Sequence, residues 1–178
     1  MLLDEFNASD AAEAASVVVV WAAIPAWVDA VVAARPFDSV DALAARAAAA
    51  AAHWTRADLD AALAHHPRIG QRPTGAGAEA AASRREQAAM TDAGTDVTTA
   101  IAAGNAEYED HFGRVFLIRA AGRSPEEILT ELRRRLRNDD GSEALEALGQ
   151  LAEIAILRLR GSVTEPTTPD ASNGRIVP

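Results

Sequence analysis

The sequence contains no cysteine and no lysine. Without cysteine there is no thiolate nucleophile, no cysteine-ligated zinc or iron–sulfur centre, and no disulfide framework. Without lysine there is no Schiff base, hence no pyridoxal-phosphate or lysine-aldolase chemistry, and no P-loop lysine. Long hydrophobic runs are also missing. The longest apolar stretch, Val17 to Ile24, falls far short of the roughly 20 residues of a membrane span. The first residues, Met1-Leu2-Leu3-Asp4-Glu5, lack the basic flank and apolar region of a signal peptide. Positive charge is in deficit. The 17 basic residues, all arginine, face 26 acidic ones, for a net charge of −9. That balance argues against general nucleic-acid affinity. An anionic small molecule would bind only where arginine or backbone donors reverse the field locally. These features predict a cytoplasmic protein, with no membrane or nucleic-acid partner, that works through His, Arg, carboxylates, amides, hydroxyls or a bound group.

What is present is alanine, about a quarter of the 178 residues, and regular helix punctuation. Alanine is the best helix former and β-branched clusters are few, so the fold class is all-α. We expect a single-domain compact bundle of about 7–9 helices over residues 1–162, with a disordered tail over 163–178, where Thr, Pro, Ser and Asn replace any apolar period. Asn7 or Ser9 can cap a first helix, and Pro25 suits the first turn of the next. Arg35-Pro36 ends that one, because the residue before proline avoids the α region. Ser39 and Thr55 open two more, and Pro67 stops the second of these at His66. Gly70 to Ala78 reads as a loop. A longer helix runs from Asp96 to Phe112 and ends at Gly113. Ser124-Pro125-Glu126-Glu127 combines N-cap, N1 proline and capping-box Glu, opening a helix to Asn138. A last helix covers about Ser142 to Arg160.

Residues able to do chemistry lie in loops and at helix ends. Pro67 forces His66 into an extended conformation at a helix C-terminus, where the dipole favours its protonated form; a plain helix stop is the competing reading. Ser83-x-x-Glu86 is a capping box by pattern. If Glu86 instead faces a substrate it cannot close that box, and Gln87 beside it offers amide donors and an acceptor suited to a urea-like group. Glu107 and His111 lie one turn apart, with Asp110 beside them, but two ligands are not a metal site, and a surface ion pair is the simpler reading. Arg133-Arg134-Arg135 with Arg137 reads as a solvated face, with Glu131 placed to pair with Arg135 and Leu129, Leu132 and Leu136 marking the buried side. Arg158, among Ile154, Leu157 and Leu159, is the best anion-binding candidate, since an arginine in apolar surroundings needs a carboxylate partner from protein or ligand.

Read in order, Arg35-Pro36-Phe37, His66-Pro67-Arg68-Ile69-Gly70, Ser83-Arg84-Arg85-Glu86-Gln87, Phe112-Gly113, Phe116 to Ser124 and Leu157-Arg158-Leu159 resemble the OHCU decarboxylases. These act on 2-oxo-4-hydroxy-4-carboxy-5-ureidoimidazoline, a late intermediate of urate breakdown, and release (S)-allantoin. The resemblance runs from about Leu2 to Val163. It implies a helical, cofactor-independent and metal-free carboxy-lyase that forms a homodimer and takes an anionic ureidoimidazoline. It places the catalytic histidine at His66 and the catalytic glutamate at Glu86. Substrate contacts fall on Pro67, Ser83, Gln87 and Arg158, with backbone contacts from Phe116, Leu117, Ile118, Arg119 and Ala120. Arg114 and Arg119 depart from the family pattern, standing where an apolar and a small residue are usual, and both bear on the lining of that last segment. The remaining arginines read as surface or structural charge. The alternative is a non-catalytic helical module binding a ureide or purine ligand.

Overall fold

The computed structural model describes residues 1–64, 68–69, 81–82 and 94–166. Among them are eight helices: α1 (Leu3–Ala8), α2 (Ala11–Trp21), α3 (Pro25–Val32), α4 (Val40–Ala51), α5 (Arg56–Leu63), α6 (Thr95–Phe112), α7 (Pro125–Arg135) and α8 (Asp140–Ser162). Among the described residues, one isolated bridge joins Leu2 to Thr164. The fold is all-α.

Most helix ends are local chemistry. Ser39 accepts from Ala42 N–H at the start of α4, and Thr55 forms a capping box with Asp58 at α5. Ser124 and Glu127 close the expected box at α7, with Pro125 in its first turn. Pro25 likewise opens α3. Gly113, at φ 68°, ends α6 in the left-handed region that glycine enters without penalty.

Three ends differ from expectation. Asp10, not Asn7 or Ser9, caps α2, accepting from Glu13 N–H at 2.8 Å. Asn7 is engaged elsewhere: it donates to Phe37 C=O and accepts from Phe37 N–H, both at 2.9 Å. α5 ends at Leu63 with Ala64 as C-cap, because a following proline sets only an upper limit on helix length. α7 ends at Arg135, since Asn138 turns its amide to Glu143 (2.8 Å) and Glu146 (3.1 Å) beyond the bend. Residues past the expected domain boundary are also docked: Val163 is buried, Thr164 accepts from Leu3 N–H at 2.9 Å, and Glu165 accepts from Val40 N–H at 2.6 Å.

Two apolar cores result. The first is built by α1 to α5 around α8, which packs on α2, α4 and α5. It contains all three tryptophans, Trp21, Trp27 and Trp54, with Leu43, Ala47, Leu59, Leu151 and Leu159. The second joins α6 to α7, through Ile101, Tyr108, Phe112, Ile128 and Leu132. Gly104 permits the close approach there: a Cβ on it would lie 2.6 Å from Leu132 Cδ2. No described helix is long and apolar enough to cross a membrane.

Candidate active site

Between the cores runs an extended segment, Val115 to Ala120, that has no strand beside it among the described residues. Its side chains alternate as in a β-strand. Phe116, Ile118 and Ala120 enter the second core, while Leu117 enters the first and Val115 packs against it. This wall is the stretch to which the family resemblance assigns substrate contacts through the backbone.

A lone extended segment cannot satisfy its peptide groups as a helix or sheet does, so partners must come from elsewhere. Arg135 Nη1 donates to Leu117 C=O at 2.7 Å, and Gln150 Oε1 accepts from Arg119 N–H at 2.9 Å. Ala120 C=O accepts from Arg123 N–H at 3.0 Å. In extended backbone the N–H and C=O of one residue share an edge, and the next residue presents the opposite edge. Arg135 and Gln150 therefore take the edge of Leu117 and Arg119. The peptide groups of Ile118 face the other way, and no described residue bonds them.

Arg135 is itself enclosed, 1% exposed beside a fully buried Glu143. Its Nε donates to Glu143 Oε1 at 2.9 Å and its Nη2 bonds the same oxygen. Tyr108 donates its hydroxyl to that oxygen too, while Asn138 donates to Oε2. Burial, and then the bond to Glu143, push the Tyr108 hydroxyl well above its ordinary pKa. The Arg135 guanidinium lies 4.8 Å from the Phe116 ring centroid, and Tyr108 meets the same ring edge-on at 5.1 Å. Arg135 is thus not part of a solvated face, and Glu131 pairs with Arg134 instead, at 2.9 Å. The signal was available: Ile128, Leu132 and Arg135 stand at i, i+4 and i+7, one buried stripe. Tyr108, Glu143 and Gln150 were likewise passed over.

His66, Pro67, Ser83, Glu86 and Gln87 lie outside the described residues, as do the Gly70 to Ala78 loop and the Ser83 helix start. The described residues that bracket His66 both meet α6. Leu63 and Ala64, at the end of α5, line a cleft of about 630 Å³ with Glu109, Phe112 and Val115, the residue that leads into the wall. On the other side, Arg68 pairs with Glu109 at 2.5 Å and Ile69 C=O accepts from Asn105 at 3.1 Å, beside a smaller cleft of about 310 Å³.

The arginines that depart from the family pattern are both accounted for. Arg114, with its side chain 4% exposed, donates to Asp140 at 2.5 Å and lies 3.7 Å from Asp60, so it is a buried structural cation. Asp140 also takes Arg56, whose hydrogen bond is the main cause holding its carboxyl below the ordinary range. Arg119 turns its side chain away along α8, to Glu153 at 2.7 Å and Ala121 C=O at 2.7 Å, so only its backbone belongs to the wall. Arg158 is half-buried and donates to Val20 C=O at 3.1 Å, beside the end of α2. It sits roughly 12 Å of axial rise along α8 from Gln150. Glu107 and His111 are exposed, the His111 ring lying tilted beside Phe112 at 4.4 Å between centroids. No metal-binding cluster of His, Asp or Glu occurs among the described residues.

Comparison with known proteins bears on this arrangement. A 2-oxo-4-hydroxy-4-carboxy-5-ureidoimidazoline decarboxylase from Amia calva is 36% identical over 108 residues, 58% of this chain and 60% of that protein. One from Mus musculus is 32% identical over 127 residues, 70% of this chain and 71% of that protein. The match thus spans less than two thirds of the first relative's length. A crystal structure of an OHCU decarboxylase in the presence of (S)-allantoin shares the fold, with a TM-score of 0.68 and 22% identity over 80% of this chain and 93% of that one. A crystal structure of an (S)-allantoin synthase superposes with a TM-score of 0.67 and 18% identity, covering 92% of this chain and 54% of that chain. The family model described as OHCU decarboxylase matches residues 7–160. The chain belongs to the OHCU decarboxylase family.

Proposed function

We propose that this protein converts 2-oxo-4-hydroxy-4-carboxy-5-ureidoimidazoline to (S)-allantoin and CO₂ without a cofactor. The observation that carries the reading is the family match over residues 7–160, a span that includes every residue assigned a role below.

The chemistry suits a chain without lysine. One ring carbon of the substrate bears both hydroxyl and carboxylate, and its neighbour belongs to a C=N group. As the carbon–carboxylate bond breaks and CO₂ leaves, its electron pair forms a C=C bond to that neighbour. The C=N π pair moves onto nitrogen, which takes a proton. The resulting enol becomes a carbonyl when its hydroxyl proton is lost and a proton is added to the neighbouring carbon, which fixes the stereocentre. The substrate is its own electron sink, so the protein supplies orientation and protons. In this reading His66 and Glu86 handle the hydroxyl proton and deliver a proton to one face. Arg158 and Gln87 grip carboxylate, ureido or ring carbonyl groups. Pro67 and Ser83 line the site, and the Phe116–Ala120 backbone forms its wall. The edge of Ile118, which no described residue bonds, supports this last role, because a donor and acceptor side by side match an N–H and C=O of a ureide. The protein is further proposed to be a cytoplasmic homodimer, checked by light scattering and cell fractionation.

The test follows the circular dichroism of allantoin formed from freshly generated substrate. Wild-type protein should give the (S) product faster than the spontaneous reaction, which is racemic. His66→Ala and Glu86→Ala should each lose on the order of a hundredfold or more in rate, the usual scale of a general acid or base. Wild-type stereoselective rates in both variants would refute the assignment. Saturable binding of allantoin with no chiral product in the wild type would refute catalysis itself.

A further inference from the structure

We propose that Arg135, held by Glu143 and Tyr108, is a positioning residue that sets the Phe116–Ala120 backbone against the substrate. The proposal rests on the functional reading above, which supplies the wall's role.

Arg135 touches the wall twice. Its Nη1 holds Leu117 C=O at 2.7 Å, and its guanidinium lies over the Phe116 ring at 4.8 Å. The opposite side of the guanidinium is fixed by Glu143, through Nε at 2.9 Å and through Nη2. Glu143 is fixed in turn by Tyr108 and Asn138. The planar fork of arginine holds its donors in fixed, divergent directions that span Glu143 and Leu117, whereas the donors of a lysine ammonium all sit on one compact nitrogen. Gln150 holds the same edge one residue pair along, at Arg119 N–H. The two contacts clamp the chain on either side of Ile118 and so fix the direction of its N–H and C=O.

A buried ion pair is weak grounds for stability, because apolar residues of similar volume often replace one without loss. What the pair does here that apolar residues would not is satisfy the Leu117 carbonyl and set the wall's rotation about its own axis. The wall's alternation depends on that rotation: a twist would move Leu117 and Ile118 out of their separate cores.

The test compares two variants that keep the interior occupied. Arg135→Lys retains a charge for Glu143 without the second arm for Leu117. Arg135→Met/Glu143→Leu removes both charges together. Arg134→Ala, which removes a neighbouring ion pair with Glu131 and Glu146, is the control. We expect both Arg135 variants to fold, with kcat/KM reduced on the order of tenfold to a hundredfold, lower enantiomeric excess, and faster amide exchange at Leu117 to Ala120. Arg134→Ala should match wild type in all three. A folded Arg135 variant with wild-type kcat/KM and enantiomeric excess overturns the proposal. If neither folds, Gln150→Leu decides: it loosens the same edge from α8, and unchanged KM and enantiomeric excess would also overturn it. If the wild type gives no enantiomeric excess, the functional reading falls, and amide exchange alone then decides whether Arg135 holds the wall.

Discussion

The two cores solve the same problem with opposite means. The first is alanine, valine, leucine and tryptophan against helices that satisfy their own backbones, so its polar needs are few: Trp27 Nε1 finds Ala47 C=O at 2.9 Å and Trp21 Nε1 finds Ser162 Oγ at 2.8 Å. Around the second core, Asn105, Arg114, Arg135 and Glu143 are all buried. The difference follows from the wall. An extended segment with no sheet partner among the described residues brings peptide groups inside that need other partners, and leaving one unpaired costs about 1–3 kcal/mol. Buried polarity in this protein therefore marks where the backbone is irregular, and irregular backbone is what can meet a ligand. Composition supplies separate reporters for the two: all three tryptophans lie in the first core and the single tyrosine in the second.

The largest effect should come from breaking the second core's ion pair on one side. Glu143→Leu leaves Arg135 enclosed and unpaired, and should cost about 3–5 kcal/mol in urea unfolding. Adding Arg135→Met should recover most of that loss. A single-variant cost under about 1 kcal/mol would mean the guanidinium does not depend on Glu143. In the first core, Leu43, fully buried, should cost about 3 kcal/mol as Leu43→Ala, with no charge change that restores it. Because the side-chain bonds that hold the wall come from Arg135 and Gln150 and not from α4, the folded variant should keep the enantiomeric excess of wild type. A loss there would erase the distinction between the cores.

The parts of this fold written locally were legible. Ser39, Thr55, Pro25, Gly113 and Ser124 each act within one turn of their own position, and one-turn chemistry is readable from spacing. Asn7 misled because its partner, Phe37, is distant in sequence. Arg135 misled for a related reason. A run of arginines looks solvated unless the Ile128–Leu132–Arg135 stripe is given weight, and the partners that explain a buried guanidinium, Glu143 and the Leu117 carbonyl, lie on other elements. Of the candidate site, Arg158 was legible from pattern, as an arginine among apolar residues, whereas the Phe116–Ala120 segment came from family likeness alone, since a short, mostly apolar segment has no chemical signature of its own. Its alternation between two cores becomes visible only once both cores exist.

The smallest effect tests whether the cores unfold as one. Asp139 caps α8, accepting from Ser142 N–H at 2.9 Å and Ser142 Oγ at 2.7 Å. The bond from the Ser142 backbone is the main cause holding its carboxyl below the ordinary value. A carboxyl depressed in the folded state releases its proton more readily there than in the unfolded chain. Its contribution is complete above the unfolded value near 3.9 and is lost as pH falls through the folded one. Asparagine caps a helix about as well and does not titrate. Asp139→Asn should therefore nearly match wild type at neutral pH and lose less stability in acid, read as the thermal midpoint against pH. α8 carries Ala144, Ala147 and Leu151 into the first core and Glu143 into the second. The tryptophan and tyrosine transitions should then shift together. If the acid response appears in Tyr108 alone, the second core unfolds separately, and the wall between the two is a joint and not a shared strut.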